Sequence, residues 1–83
     1  MIVKLKTLEV LFKEGWYYNK TYDEYTNNGD VTILPDMLKF LGKEIEIIPD
    51  TAEEDLFVII KKYSPDNRYI VDSMIEEYIT RDS

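Results

Sequence analysis

The sequence predicts an α+β domain built on a small, strongly bent antiparallel sheet with two or three short helices at its ends. Three observations carry this. Alternating apolar and polar residues recur in short runs, as in Glu44-Ile45-Glu46-Ile47, the period of a half-buried strand. Apolar stripes at helical spacing, each closed by glycine, stand between those runs, ending at Gly15 and Gly42. Turn signals at Asn27-Asn28-Gly29-Asp30 and Ser64-Pro65-Asp66-Asn67 leave connections too short for parallel crossovers. With 83 residues there is room for one domain, spanning 1–83.

Ile2 to Lys6 alternates, Val3 and Leu5 inward and Lys4 and Lys6 outward, as an edge or half-exposed strand does. Thr7 caps a helix from Leu8 to Glu14, with Leu8, Leu11 and Phe12 as its stripe and Gly15 at its end. Trp16 to Tyr22 has strand composition, and its even positions, Trp16, Tyr18 and Tyr22, make the better core face. Asp23 to Thr26 reads as the exposed end of a hairpin, which the Asn-Gly turn closes onto Val31 to Leu34. Pro35 opens a second short helix, Met37, Leu38 and Leu41 line it, and Gly42 closes it. A strand follows from Glu44 to Ile48, with Ile45 and Ile47 on one face.

Pro49-Asp50 turns the chain into an acidic loop, Thr51 to Asp55. Leu56 to Ile60 is apolar on both faces, which predicts a central strand, and Arg68 to Val71 pairs back on it. Ser73 and Glu76 have capping-box spacing, so a last helical turn is expected with Met74, Ile75, Tyr78 and Ile79 inward. Arg81 to Ser83 should fray. Short strands, tight turns and terminal helices suit a partly open barrel of SH3-like type.

The composition excludes much chemistry. There is no cysteine and no histidine, so thiolate metal sites, thiol nucleophiles and imidazole bases are all absent. No apolar run approaches the roughly 20 residues of a membrane span. Met1 to Lys6 lacks the core of a signal peptide, so a cytoplasmic protein is expected. Adjacent acids such as Glu76 and Glu77 diverge on a helix, and no glycine-rich phosphate loop is present. Glu24 to Asp30 resembles the start of a calcium loop, but the position that needs a bidentate Glu is Pro35. The chain therefore reads as a non-enzyme with no cofactor and no metal.

Charge points to partners. Acids outnumber bases 17 to 10, giving a formal net charge of −7. That balance disfavours direct contact with nucleic acid or an anionic membrane and favours a basic protein partner. Tyr and Trp are enriched where proteins bind each other, and Trp16, Tyr17, Tyr18, Tyr22 and Tyr25 lie beside acids. The candidate contact residues are Tyr17, Tyr22, Asp23, Glu24, Tyr25 and Asp30 of the hairpin, with Glu53, Glu54 and Asp55 of the acidic loop.

The phrase Leu34-Pro35-Asp36-Met37-Leu38-Lys39-Phe40-Leu41-Gly42-Lys43-Glu44-Ile45-Glu46-Ile47 resembles a pattern in small uncharacterised proteins of tailed phages. In those, a Met-bearing helix ending in Gly-Lys leads into an alternating strand. The helix ending at Gly15-Trp16 and the closing segment from Tyr69 to Ile79 are similar too. The chain departs from the pattern in having Tyr69 and Ile70 where a tryptophan stands near the last helix. The resemblance implies a phage accessory protein with a small barrel fold that acts on host or defence machinery. With the acidic surface, the expected function is to bind and inhibit a basic, nucleic-acid-binding protein as a DNA mimic, in the host cytoplasm. The alternatives are an oligomeric nucleotide-sequestering protein, whose phosphate contacts would fall to Arg68 and Arg81, and a minor structural protein of the virion.

Overall fold

Only Asp72 to Met74 separate the last two strands, Tyr69–Val71 (β6) and Ile75–Thr80 (β7), yet those strands lie at opposite ends of one sheet. The computed structural model describes residues 1–29, 31–51 and 54–80. Its sheet has five strands in the order β6-β5-β4-β1-β7, where β1 is Ile2–Leu5, β4 is Glu44–Pro49 and β5 is Leu56–Ile59. Every neighbouring pair is antiparallel. Laid flat, four inter-strand steps would part the edges by about 19 Å. Four Cα–Cα links reach at most about 15 Å. The sheet must therefore curl. It stays open, because the order ends at β6 and β7 without pairing them.

Between β1 and β4 the chain makes a long excursion. It holds a helix at Leu8–Lys13 (α1), a separate hairpin of Tyr17–Asn19 (β2) and Glu24–Thr26 (β3), and a 3₁₀ helix at Pro35–Phe40. Thr7 caps α1 by accepting from the Val10 N–H at 3.3 Å, and Gly15 leaves the helix at φ 104°. Alternation sets the interior: Val3, Leu5, Ile45, Ile47, Phe57, Ile59 and Ile70 are all buried. Leu11, Trp16, Ile33, Met37, Phe40, Met74 and Ile75 complete that core.

Several expectations are corrected. β1 is not an edge strand: it bonds to β4 on one side and β7 on the other, because the curl brings β7 to its free edge. The segment from Pro35 is 3₁₀, with three residues per turn, so Met37 and Phe40 share the buried face while Leu38 and Leu41 are half-buried. The hairpin turns at Lys20–Asp23, one strand earlier than the Asn-Gly signal, and Glu24–Thr26 is strand rather than loose end. Asn27 to Gly29 still folds the chain back, giving the Tyr25–Ile33 bridge. There the positive φ falls on Asn28, at 68°. Of the supposed core face, Trp16 is buried whereas Tyr18 and Tyr22 are exposed, since β2 ends at Asn19 and belongs to no larger sheet.

The last helix is instead β7. Two register shifts against β1 leave Glu76 and Ile79 as extra residues, so Ile75 pairs with Leu5 and Tyr78 with Val3. A bulge thereby turns two residues three apart to one face, which is the spacing that a helix also produces. Ser73 lies inside the 3₁₀ turn and no capping box forms.

Two substitutions test this frame by urea unfolding. Ile47→Ala, at a fully buried site, should cost about 2–5 kcal/mol. Gly42 has φ 76° and a Cβ there would stand 3.1 Å from Thr7 Cγ2, so Gly42→Ala should cost about 1–2 kcal/mol.

Candidate functional site

Adjacent residues in β2 point to opposite faces, so the hairpin displays tyrosine on both. Tyr18 stands opposite Tyr25, ring centroids 5.1 Å apart, and Tyr25 also meets Phe12 of α1 at 5.9 Å. The Tyr18 hydroxyl donates to Asp23 Oδ1 at 2.6 Å. That bond, helped by desolvation and the negative charge of Asp23, raises the Tyr18 pKa above its ordinary value. On the other face Tyr17 donates to Asn28 Oδ1 at 2.6 Å, tying the hairpin to the following turn. Tyr22 sits at the tip and is 71% exposed. Tyr17, Tyr18 and Phe12 are each exposed as well.

The structure joins some of the expected contact residues and separates others. Tyr22, Asp23 and Glu24 gather at the hairpin tip, with Tyr25 half-buried behind them and Tyr17 on the reverse face. Glu54 and Asp55 are exposed in the loop before β5. Asp55 borders a cleft of about 330 Å³ with Asn27, Gly29, Val31, Asp72 and Ser73. Asp23 and that cleft lie at opposite ends of β3, so the nine candidates do not form one patch. Asp30 and Glu53 lie outside the described residues.

Two groups escaped the sequence reading. Asp72, which accepts a hydrogen bond from the Tyr78 hydroxyl, adds a second carboxylate to the cleft. Its signal was a polar Asp-Ser pair interrupting an otherwise strand-like run. A second cleft, about 260 Å³, is lined by Lys39, Lys43, Phe40 and Tyr63 together with Glu44. Lys39 lies 5.2 Å from the Phe40 ring centre and Lys62 lies 5.7 Å from that of Tyr63. Two Lys-aromatic dipeptides were the visible trace of it.

Charges are unevenly matched. Lys4 pairs with Glu76, Lys6 with Glu14, Lys13 with Glu9, and Arg68 with Asp36 and Asp66. Among the described residues no Lys or Arg lies within 4.0 Å of Asp23, Glu24, Glu54, Asp55 or Asp72. Each nitrogen of the Arg68 guanidinium donates: Nε and Nη2 reach Asp36 at 2.7 to 3.2 Å and Nη1 reaches the Asn67 carbonyl. It thereby clamps the 3₁₀ helix to the start of β6. Among the described residues no cluster of acids could hold a metal ion, and no helix is long and apolar enough to cross a membrane.

Comparison with family models, with curated proteins and with solved structures gives no match to this chain. The functional reading rests on geometry.

The Asp36 clamp gives a pH test. Its hydrogen bonds from Arg68 hold the Asp36 carboxyl below its ordinary value of 3.8. Its stabilising effect is therefore present at neutral pH and lost as pH falls through the lowered folded-state value. The melting-temperature gap between the wild type and Asp36→Asn should hold from neutrality to about pH 5 and close below about pH 4.

Proposed function

We propose that this chain is a binding protein that docks an acidic, tyrosine-bearing hairpin on a basic protein partner, and acts by occupancy rather than turnover. One observation carries the reading: Tyr18 and Tyr22 are exposed beside Asp23 and Glu24, whose carboxylates have no described Lys or Arg within 4.0 Å. Aromatic rings supply rigid contact area, and carboxylates left without cations suit Arg and Lys across an interface. The cleft bordered by Asp55 and Asp72 extends the same complementarity to a basic side chain. A partner with that chemistry is a nucleic-acid-binding protein, whose site the acidic surface would fill, as in a phage-type inhibitor of host or defence machinery.

The architecture is consistent with such a role. We read the curled sheet, with its long excursion after the first strand and its 3₁₀ turn before the last, as a partly open SH3-like barrel. The excursion in such a fold is free to vary and carries contact residues on a fixed scaffold.

A second reading, sequestration of an anionic small molecule such as a nucleotide, draws on the Lys39, Lys43 and Tyr63 cleft. Its volume of about 260 Å³ is below that of the usual ligand pocket. Titration calorimetry with nucleoside triphosphates separates the two, since heat that is abolished by Lys39→Ala would favour this second reading.

For the first, the tagged chain is used to capture a partner from lysate across a salt series. Wild type should retain a basic protein that added duplex DNA displaces, with retention falling steeply as salt rises. Tyr22→Ala with Asp23→Lys should weaken retention at least about tenfold. Retention indifferent to salt, to DNA and to those substitutions would overturn the reading.

A further inference from the structure

The strand β5 is apolar on both faces, but the molecule covers only one. Phe57 and Ile59 point into the core. Leu56, Val58 and Ile60 alternate with them and lie on the opposite face, each only half-buried. Cross-strand pairing widens this band: Ile48 stands opposite Val58 on one side and Tyr69 on the other, 50% and 39% exposed. A contiguous row of Ile, Val and Tyr that reaches water marks a surface meant for contact.

Its ends carry opposite charge. Reading along the chain, Glu54-Asp55-Leu56-Phe57-Val58-Ile59-Ile60-Lys61-Lys62 runs from acid through apolar to base, with Val58 at its centre. Glu54 and Asp55 have no described Lys or Arg within 4.0 Å, and no described carboxylate lies that close to Lys61 or Lys62. Among the described residues Lys61 reaches the Pro65 carbonyl, at 3.5 Å, and Lys62 the Tyr63 ring. Such a stretch is complementary to itself when reversed.

We propose that the chain self-associates through this outer sheet face, a second copy lying antiparallel about a two-fold axis at Val58. Leu56 of each copy then packs on Ile60 of the other, and the acidic end at Glu54, of the same parity as Val58, meets the basic end at the lysine at 62. The orientation follows from charge. The other face-to-face two-fold, along the strand, would stack acids on acids and lysines on lysines. Sheets packed this way lie about 10 Å apart and cross at roughly −30°, so the rows beside Val58 stay in register while the rims diverge. Glu46, beside Ile60 on the rim, opposes the pairing. The dimer is accordingly weak and reversible. It shares Glu54 and Asp55 with the partner surface proposed above and is otherwise independent of it.

Sedimentation of the full chain across concentrations up to about 1 mM tests the proposal. Wild type should shift from monomer towards dimer, and Lys61→Glu with Lys62→Glu should weaken association at least about tenfold. Adding Glu54→Lys and Asp55→Lys to that pair reverses the order of charges at unchanged net charge, and should restore the dimer. Trp16 fluorescence, reporting a buried indole, checks that each variant is folded. A wild type that stays monomeric throughout overturns the proposal. So does a dimer that survives in Lys61→Glu/Lys62→Glu, or a folded four-residue swap that stays monomeric.

Discussion

A three-residue link between the two outermost strands governs this molecule. Because Asp72 to Met74 must carry the chain from one edge of the sheet to the other, the sheet bends, and the bend creates the interior that Val3, Leu5, Ile47 and Ile70 fill. It also brings β7 onto β1, so the first strand gains partners on both sides. Met74, fully buried within the link, anchors it from beneath, and its carbonyl accepts from the Lys6 N–H at 2.9 Å. Asp72 is fastened from the other side, its N–H donating to the Asp55 carbonyl. The link is therefore part of the core and part of the cleft at once.

The same geometry sorts residues into scaffold and surface. The excursion from Lys6 to Lys43 hangs on the sheet through Leu11, Trp16, Ile33, Met37 and Phe40 in the core and through the Arg68–Asp36 clamp across 32 residues. Between those anchors the tyrosines have no apolar layer to enter. Their hydroxyls find Asp23 and Asn28 instead, which orders the rings without burying them. Exposed yet ordered aromatics lose little entropy on contact, which is the property that a recognition surface needs.

Six of the described cations are committed locally. Lys4, Lys6, Lys13 and Arg68 are neutralised by neighbours, and Lys39 and Lys62 lie over aromatic rings. The acids without a described Lys or Arg within 4.0 Å include those of the hairpin tip and of the loop before β5, with Glu44, Glu46 and Glu77 on the sheet. A net charge of −7 alone could not locate them. What matters for recognition is where opposite charges fail to meet, and that depends on which strands are neighbours.

Much of the fold was legible in the chain. Alternation put Val3, Leu5, Ile45 and Ile47 inside, Thr7 and Gly15 bounded α1, and the run from Leu56 to Ile60 announced a central strand. These are local consequences of side-chain period and backbone sterics, and they hold whatever the rest of the chain does. Three features needed the tertiary structure. The Pro35–Phe40 turn is wound at three residues rather than 3.6, which traded Leu38 for Phe40 in the core. Ile75 to Thr80 became a strand because β1 offered an unpaired edge and bulges reproduced helical spacing. Tyr18 and Tyr22 went to the surface because a two-stranded hairpin has no second layer to receive them. Period and capping are written in neighbouring residues, whereas the partner of an edge or a face is fixed only when distant segments meet.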